Sequence, residues 1–216
     1  MRAMKDSGVE WIGEIPENWE IGRTKNYYTN HKMIVGVEAD KYERLALTLN
    51  GVIKRSKEDI NGLQPEAFNG YQILRESELV FKLIDLENLA TSRVGLSSYT
   101  GIVSPAYIIL EGDEHTNMRY GEYFFLSMWQ RAIFNQMGDD GVRSSLSSSD
   151  LLNIPYIFPP QNEQMMISAY LDRQCAHIDN IIDKTKTSIE EYKKLRQAVI
   201  TQAVTKGVRG DRPMKD

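Results

Sequence analysis

Apolar positions in this chain follow two different periods, and the change falls at Pro159-Pro160. Before it, short apolar runs alternate with turn residues. Arg44-Leu45-Ala46-Leu47-Thr48-Leu49 is followed by Asn50-Gly51. Leu79-Val80-Phe81-Lys82-Leu83, Gly101-Ile102-Val103 and Ala106-Tyr107-Ile108-Ile109-Leu110 are runs of the same kind. Runs of this length bounded by Gly, Asn and Pro predict strands. One helix interrupts them over 120–137, where Tyr123, Leu126, Phe134 and Met137 recur at helical spacing. A second, short helix is expected to start at Ser147-Ser148-Ser149-Asp150, where Ser or Asp can cap. Residues 1–160 thus read as one mixed α/β domain, and the fold class as α+β.

After Pro160 the period is helical almost to the end. Pro160 stops anything earlier and Asn162 is a plausible N-cap. Apolar or small residues fall at Leu171, Cys175, Ile178, Ile182, Thr185, Ile189 and Tyr192, in alternating steps of four and three, and continue at Val199 and Ala203. This is a heptad seam. Its next position is Arg196, where the neighbouring Leu195 can take the role. With no Gly or Pro before Gly207, the spacing predicts one helix over 162–206, about 67 Å long at 1.5 Å per residue. A stripe of that length exceeds what a 160-residue domain can cover, so a coiled-coil partner is expected over packing on its own domain. Cys175, on the seam, reads as a small buried residue.

Composition narrows the class. With 41% hydrophobic and 26% charged residues the chain can build a core, and disorder is excluded. One cysteine allows no intramolecular disulfide and fits a reducing compartment. MRAMKDSGVEW has no apolar run, hence no signal peptide. No stretch approaches the roughly 20 apolar residues of a membrane helix, so a cytoplasmic protein without membrane contact is expected. The net charge of −4 argues against coating DNA by bulk charge. It leaves a specific reader open, because local patches decide. Residues 1–160 carry 16 Lys/Arg against 22 Asp/Glu, whereas 161–216 carry 10 against 8. DNA binding is therefore expected to need positive charge from partner subunits.

The enzyme motifs sought are missing. Phe158-Pro159-Pro160-Gln161 lacks the Asn/Asp that a methyltransferase Pro-Pro motif requires, and there is no P-loop. Glu76, Glu78, Lys82, Asp85 and Glu87 contain the carboxylates and lysine of a nuclease, but charge on an edge strand explains them as well. His31, His115 and His177 show no metal-ligand spacing, and no metal is expected. A short match joins the two ends: Arg2-Ala3-Met4-Lys5-Asp6 against Arg212-Pro213-Met214-Lys215-Asp216. It suggests one unit of a two-unit protein, stopping where a second copy would begin.

Three segments together resemble the specificity (S) subunits of type I restriction-modification systems. The run 154–164, IPYIFPPQNEQ, is similar to their I-P-x-x-x-P-P-x-x-E-Q junction before a long helix. The run 92–107, SRVGLSSYTGIVSPAY, is similar to a strand-loop-strand of one class of their target recognition domains, and 138–146, GDDGVRSSL, to its glycine-rich arginine loop. Trp11-Ile12-Gly13-Glu14-Ile15-Pro16-Glu17-Asn18-Trp19 resembles the opening strand. The resemblance implies a target recognition domain over 1–160. Over 161–216 it implies a helix acting as spacer, dimerisation element and docking site, paired antiparallel in a coiled coil. It further implies no catalysis by this chain. Double-stranded DNA, methyltransferase (M) subunits and restriction (R) subunits are the implied partners, with S-adenosylmethionine on the methyltransferase. Two copies of this chain would rebuild a whole subunit with twofold symmetry. The competing classes are a coiled-coil protein-binding adaptor and, behind it, a nuclease.

Base edges are read by Arg, Asn and Gln, and phosphates by Lys, Arg, Ser and Thr, on loops held by a sheet. The candidates are Lys54, Arg55 and Lys57, the densest basic cluster; Arg93 with Ser97, Ser98 and Tyr99; and Arg143 with Ser144 and Ser145 on a Gly-flanked loop. Lys25, Asn26, Asn30, His31 and Lys32 form a further polar stretch. A solvated turn is the plain alternative for each. Asp139 and Asp140 are read as turn residues rather than as partners of Arg143 or acceptors from cytosine. Met165 and Met166 are read as packing residues at the helix start, with a methyltransferase docking surface as the alternative.

Overall fold

In the computed structural model, which describes residues 2–59, 67–87, 91–137 and 145–208, the expected runs become strands. In chain order the elements are β1 (Met4–Asp6), β2 (Glu14–Pro16), β3 (Glu20–Arg23), β4 (Tyr28–Asn30), β5 (Arg44–Thr48), β6 (Gly51–Arg55) and β7 (Gln72–Leu74). There follow β8 (Leu79–Phe81), β9 (Val94–Leu96), β10 (Gly101–Val103), β11 (Ile108–Gly112), α1 (Met118–Gln130), α2 (Ile133–Met137), α3 (Ser148–Asn153), β12 (Pro155–Phe158) and α4 (Gln161–Lys206). Two units emerge, Met1–Ser168 and Ala169–Asp216. The first therefore takes in two turns of helix beyond the expected boundary at residue 160.

The first unit is layered. Strands β4-β11-β8-β9 form an antiparallel sheet, and β6-β5-β10-β7 form a second with one parallel pair, β5 with β10. In the central strand β8 every residue is buried because both faces are covered. Leu79 and Phe81 enter the helical core with Phe125, Met128, Phe134 and Tyr156, while Val80 enters the core shared with Leu45, Leu47 and Val52 of the other sheet. Strand β11 alternates likewise, Ile109 to one core and Leu110 to the other. The layers meet at Gly95, where a Cβ would lie 2.7 Å from Leu47 Cδ1. On the helical side a Cβ at Gly121 would lie 2.1 Å from Tyr28 Oη, which hydrogen-bonds Tyr156 Oη at 2.8 Å.

The helix expected over 120–137 is broken. Ala132, at φ +54°, lies between α1 and α2, and Phe134 of α2 is fully buried. Helix α3 is capped as expected: Ser147 Oγ accepts from Asp150 N, and the Asp150 carboxylate accepts from Ser147 N. Asn162 is not the cap of α4, which begins one residue earlier. Pro160 fills that place, its carbonyl accepting from Glu163 N and Gln164 N.

The first turn of α4 is bound into the domain by side chains. Glu163 accepts from Arg2 through both oxygens at 2.6 Å, from Trp19 Nε1 at 2.9 Å and from Asn18 Nδ2 at 3.3 Å. Gln164, fully buried, accepts from Asn117 N at 2.8 Å and donates to Pro159 O at 2.9 Å. The adjacent Glu and Gln of the junction thus hold separate pieces of the domain, being about 100° apart around the helix.

The second unit is helix. Helix α4 has 46 residues in all, about 69 Å of rise, and every residue from 173 to 208 is exposed.

The hydrogen bonds from Arg2, Trp19 and Asn18, with the charge of Arg2 behind them, hold the Glu163 carboxyl down at about 2, below its ordinary 4.5. A carboxyl lowered by folding adds stability above its unfolded value, and that stability is lost as pH falls through the folded one. The thermal midpoints of the wild type and Glu163→Gln should therefore differ most above pH 4.5 and converge as pH approaches 2. Circular dichroism melts across that window check this; a gap independent of pH would remove the charge from the account.

Candidate nucleic-acid interface

Strands β5 and β6 form a hairpin in register, Arg44 opposite Arg55 and Leu45 opposite Lys54. It buries Leu45, Leu47 and Val52 on one face, where Lys54 also lies toward the rim, and it buries Arg44 at 7% exposure on the other. Lys54 is exposed. Its ammonium bonds Glu43 at 2.6 Å and lies 5.2 Å from the ring centre of Tyr99, itself 39% exposed. The structure thus unites two of the expected loops. Glu43, by hydrogen bond and charge, raises the Lys54 pKa above the lysine norm and keeps it cationic. Lys57 donates to Ala39 O at 2.7 Å and Arg55 pairs with Asp59 at 2.7 Å. A shallow groove here is lined by Lys41, Arg44, Lys54, Arg55 and Lys57 against Asp40, Glu43 and Glu58, an excess of two positive charges.

Arg93 and Ser97 depart from expectation. Arg93 is fully buried, and its guanidinium donates to Asp85 O. Ser97 is 2% exposed, its hydroxyl donating to Tyr99 O and its amide to Glu78 O. The backbone carbonyl of Arg93 accepts from Lys82 N beside the β8–β9 pairing, so Arg93 and Ser97 flank strand β9 with their side chains inside, not on a reading loop. In this arrangement neither side chain can meet a groove of DNA. Ser98 and Tyr99, past the strand, are exposed. Arg143 and Ser144, with Asp139 and Asp140, lie outside the described residues. Ser145 is exposed and bridges Ile84.

The early polar stretch divides. Asn30 and Lys32 line a second groove with Gln72, Tyr107, Ser147 and Ser148, whereas Lys25 bonds the Asn153 side chain at 3.2 Å. His31, Glu78 and Glu111 bring ligand-type atoms within 4.8 Å of one another, a grouping their spacing in sequence does not announce. Glu78 is 3% exposed; one oxygen hydrogen-bonds His31 at 2.7 Å and the other accepts from Arg75 N at 2.7 Å. A cation there would have to displace the His31 bond, so the group reads as a buried carboxylate already held. Glu78 is thereby also removed from any nuclease site.

The seam is open along its length. Ile178, Ile182, Ile189, Tyr192 and Val199 are 43–70% exposed, Cys175 and Thr185 are exposed, and Leu171 is half-buried. Met165 and Met166, expected to pack, are 58% and 69% exposed. No helix among the described residues is long and apolar enough to cross a membrane.

No family model matches the sequence. Solved structures do match. A chain from a structure of complex assembly and conformational transition in the type I R-M system aligns with TM-score 0.63 at 16% identity, covering 97% of this chain and 49% of that one. The HsdS subunit from Thermoanaerobacter tengcongensis gives 0.55 at 16% identity, covering 97% and 48%. The fold is that of type I S subunits. The S subunit from M. genitalium agrees, with 0.50 at 16% identity, covering 86% and 45%. This chain spans about half the length of each S-subunit-fold chain it matches. A c-Myc-binding protein homolog of Drosophila melanogaster is 39% identical over 75 residues, 33% of this chain and 39% of that protein. That match is too short to assign the domain.

If Arg93 is structural, Arg93→Ala should lower the free energy of unfolding by about 2–3 kcal/mol, whereas Lys54→Ala should stay within about 0.5 kcal/mol. Urea melts of both variants give the comparison.

Proposed function

We propose that this chain is a DNA-specificity module of a type I restriction-modification complex, performing no catalysis itself. Its domain reads one half of a split target. Helix α4 pairs antiparallel with the helix of a second copy and holds two reading domains apart. The pair scaffolds methyltransferase subunits, which carry S-adenosylmethionine, and restriction subunits. A cytoplasmic location follows from that role. The observation that carries the reading is the combination of the S-subunit fold at half its length with a seam exposed from Cys175 onward. Such a stripe needs cover, since each buried aliphatic side chain is worth about 1.5–3 kcal/mol.

Within the domain, the Lys54–Tyr99 pair and the basic excess of the adjoining groove support contact with duplex DNA over a purely protein-binding adaptor. Lys54 serves as a phosphate contact, exchanging Glu43 for a phosphate oxygen.

Two copies related by a twofold axis select an interrupted palindrome. Selection from random duplexes, with and without methyltransferase subunits, should return one; an asymmetric target, or no duplex binding in either condition, would refute the reading. Lys54→Ala should weaken binding evenly across sequences and lower the salt slope by about one. Antiparallel pairing about the middle of α4 also keeps the two copies of Cys175 apart. Mild oxidation should then leave the dimer without a disulfide link on a non-reducing gel, whereas a parallel pair would cross-link.

A further inference from the structure

Three separate pieces of the domain converge on one turn of α4. The N-terminal segment supplies Arg2, Asn18 and Trp19 to Glu163, and Arg2 also donates to Asn18 Oδ1 at 2.6 Å and lies 5.6 Å from the Trp19 ring centre. The loop before α1 supplies Asn117 N and His115 O to Gln164, and Glu114 O to Gln161 at 3.3 Å. The proline turn supplies Pro159 O and Pro160 O. Ser168 is the last buried position of the helix.

Folding does not require this elaboration. The start of the helix is met by Pro160 O, which accepts from Glu163 N and Gln164 N, whereas the side chains of Glu163 and Gln164 satisfy no amide of α4 itself. A charged carboxylate gripped by two nitrogens of one guanidinium has a fixed plane as well as a fixed place. The clamp therefore fixes the orientation of the first turns of α4, up to Ser168, within the domain, not merely their attachment. Direction matters because the exposed part is long. From residue 169 to 206 the helix rises about 57 Å. Over that lever a tilt of about 10° moves the far end by about 10 Å, or about three base pairs at 3.4 Å each.

We propose that Glu163 and its partners Arg2, Asn18 and Trp19 are positioning residues that set the spacer length between the two half-sites the protein accepts. This rests on the reading of a split target given above. Arg2 and Glu163 touch no base; they act through the helix, and loosening them leaves half-site preference intact while blurring the distance between half-sites.

The test is selection by the full-length protein from a duplex library with two randomised half-sites and spacers of varied length. The wild type is compared with Arg2→Ala and Glu163→Ala. Arg2→Ala keeps the buried Gln164 bonds, so it provides a folded variant even where the second fails. The wild type should enrich one spacer length. Both variants should enrich the same half-site sequences, with the preference for that spacer over its one-base-pair neighbours reduced about threefold or more. Arg2→Lys, which keeps charge but not the two-pronged grip, should fall between. A spacer preference as sharp in the variants as in the wild type overturns this inference alone. A wild type that selects no paired half-sites overturns the split-target reading and the inference with it.

Discussion

An apolar stripe on a helix that extends beyond its domain must be covered, and the rest of the molecule follows from that requirement. Nothing from residue 173 to 208 is buried in the single chain, although isoleucine, leucine, valine and tyrosine recur there at heptad spacing. Ile181, Leu195 and Ile200, beside the seam, are also half or more exposed, so the apolar band is wider than one row. Water contact along such a band costs more than a lone helix of modest propensity can offset. In the proposed pairing a second long helix would supply the cover, with the same period and equal length. That demand links the exposed seam to the S-subunit fold, in which the matching chains are about twice as long.

The architecture was legible where pattern and burial agree. Apolar runs at 79–81 and 108–110 became central strands, and the uninterrupted helical period after the double proline became one 46-residue helix. The break at Ala132 was not legible, since a positive φ at alanine leaves no mark on the apolar period. The candidate surface was legible only in part. Lys54 and Tyr99 are far apart in sequence and meet because β6 and β9 approach across the layer contact at Gly95. Arg93 and Ser97 were expected on a loop because 92–107 resembles a strand-loop-strand of the family. Their polarity is instead spent inside, where Arg93 reaches the carbonyl of Asp85 and Ser97 closes a turn on Tyr99. A buried arginine and a DNA-facing arginine have the same letter, and only the direction of the strand separates them.

The junction illustrates the opposite case. The run Pro159-Pro160-Gln161-Asn162-Glu163-Gln164 was visible as a resemblance, yet its chemistry required the fold. Arg2 and Trp19 sit some 144 to 161 residues away from Glu163, and no local rule pairs them. Helix geometry then explains why both Glu and Gln are needed: neighbouring positions point to different sides, one to the N-terminal segment and the other into the loop before α1.

The acidity of the whole chain bears on how the proposed reader would discriminate. Affinity for DNA as such grows with the number of phosphates neutralised, and here nearly every cation in the groove has a carboxylate close by: Glu43 for Lys54, Asp59 for Arg55 and Asp40 for Lys57. Each phosphate contact must first displace a carboxylate, so the gain per contact is small and non-specific binding is held down. Because the ratio of specific to non-specific affinity decides occupancy among many competing sites, weak general binding favours a reader. Of these carboxylates, Glu43 also holds the Lys54 ammonium in place. On the proposed reading, a module built this way would draw its total affinity from a second copy and partner subunits, and would itself contribute the choice of sequence and of distance.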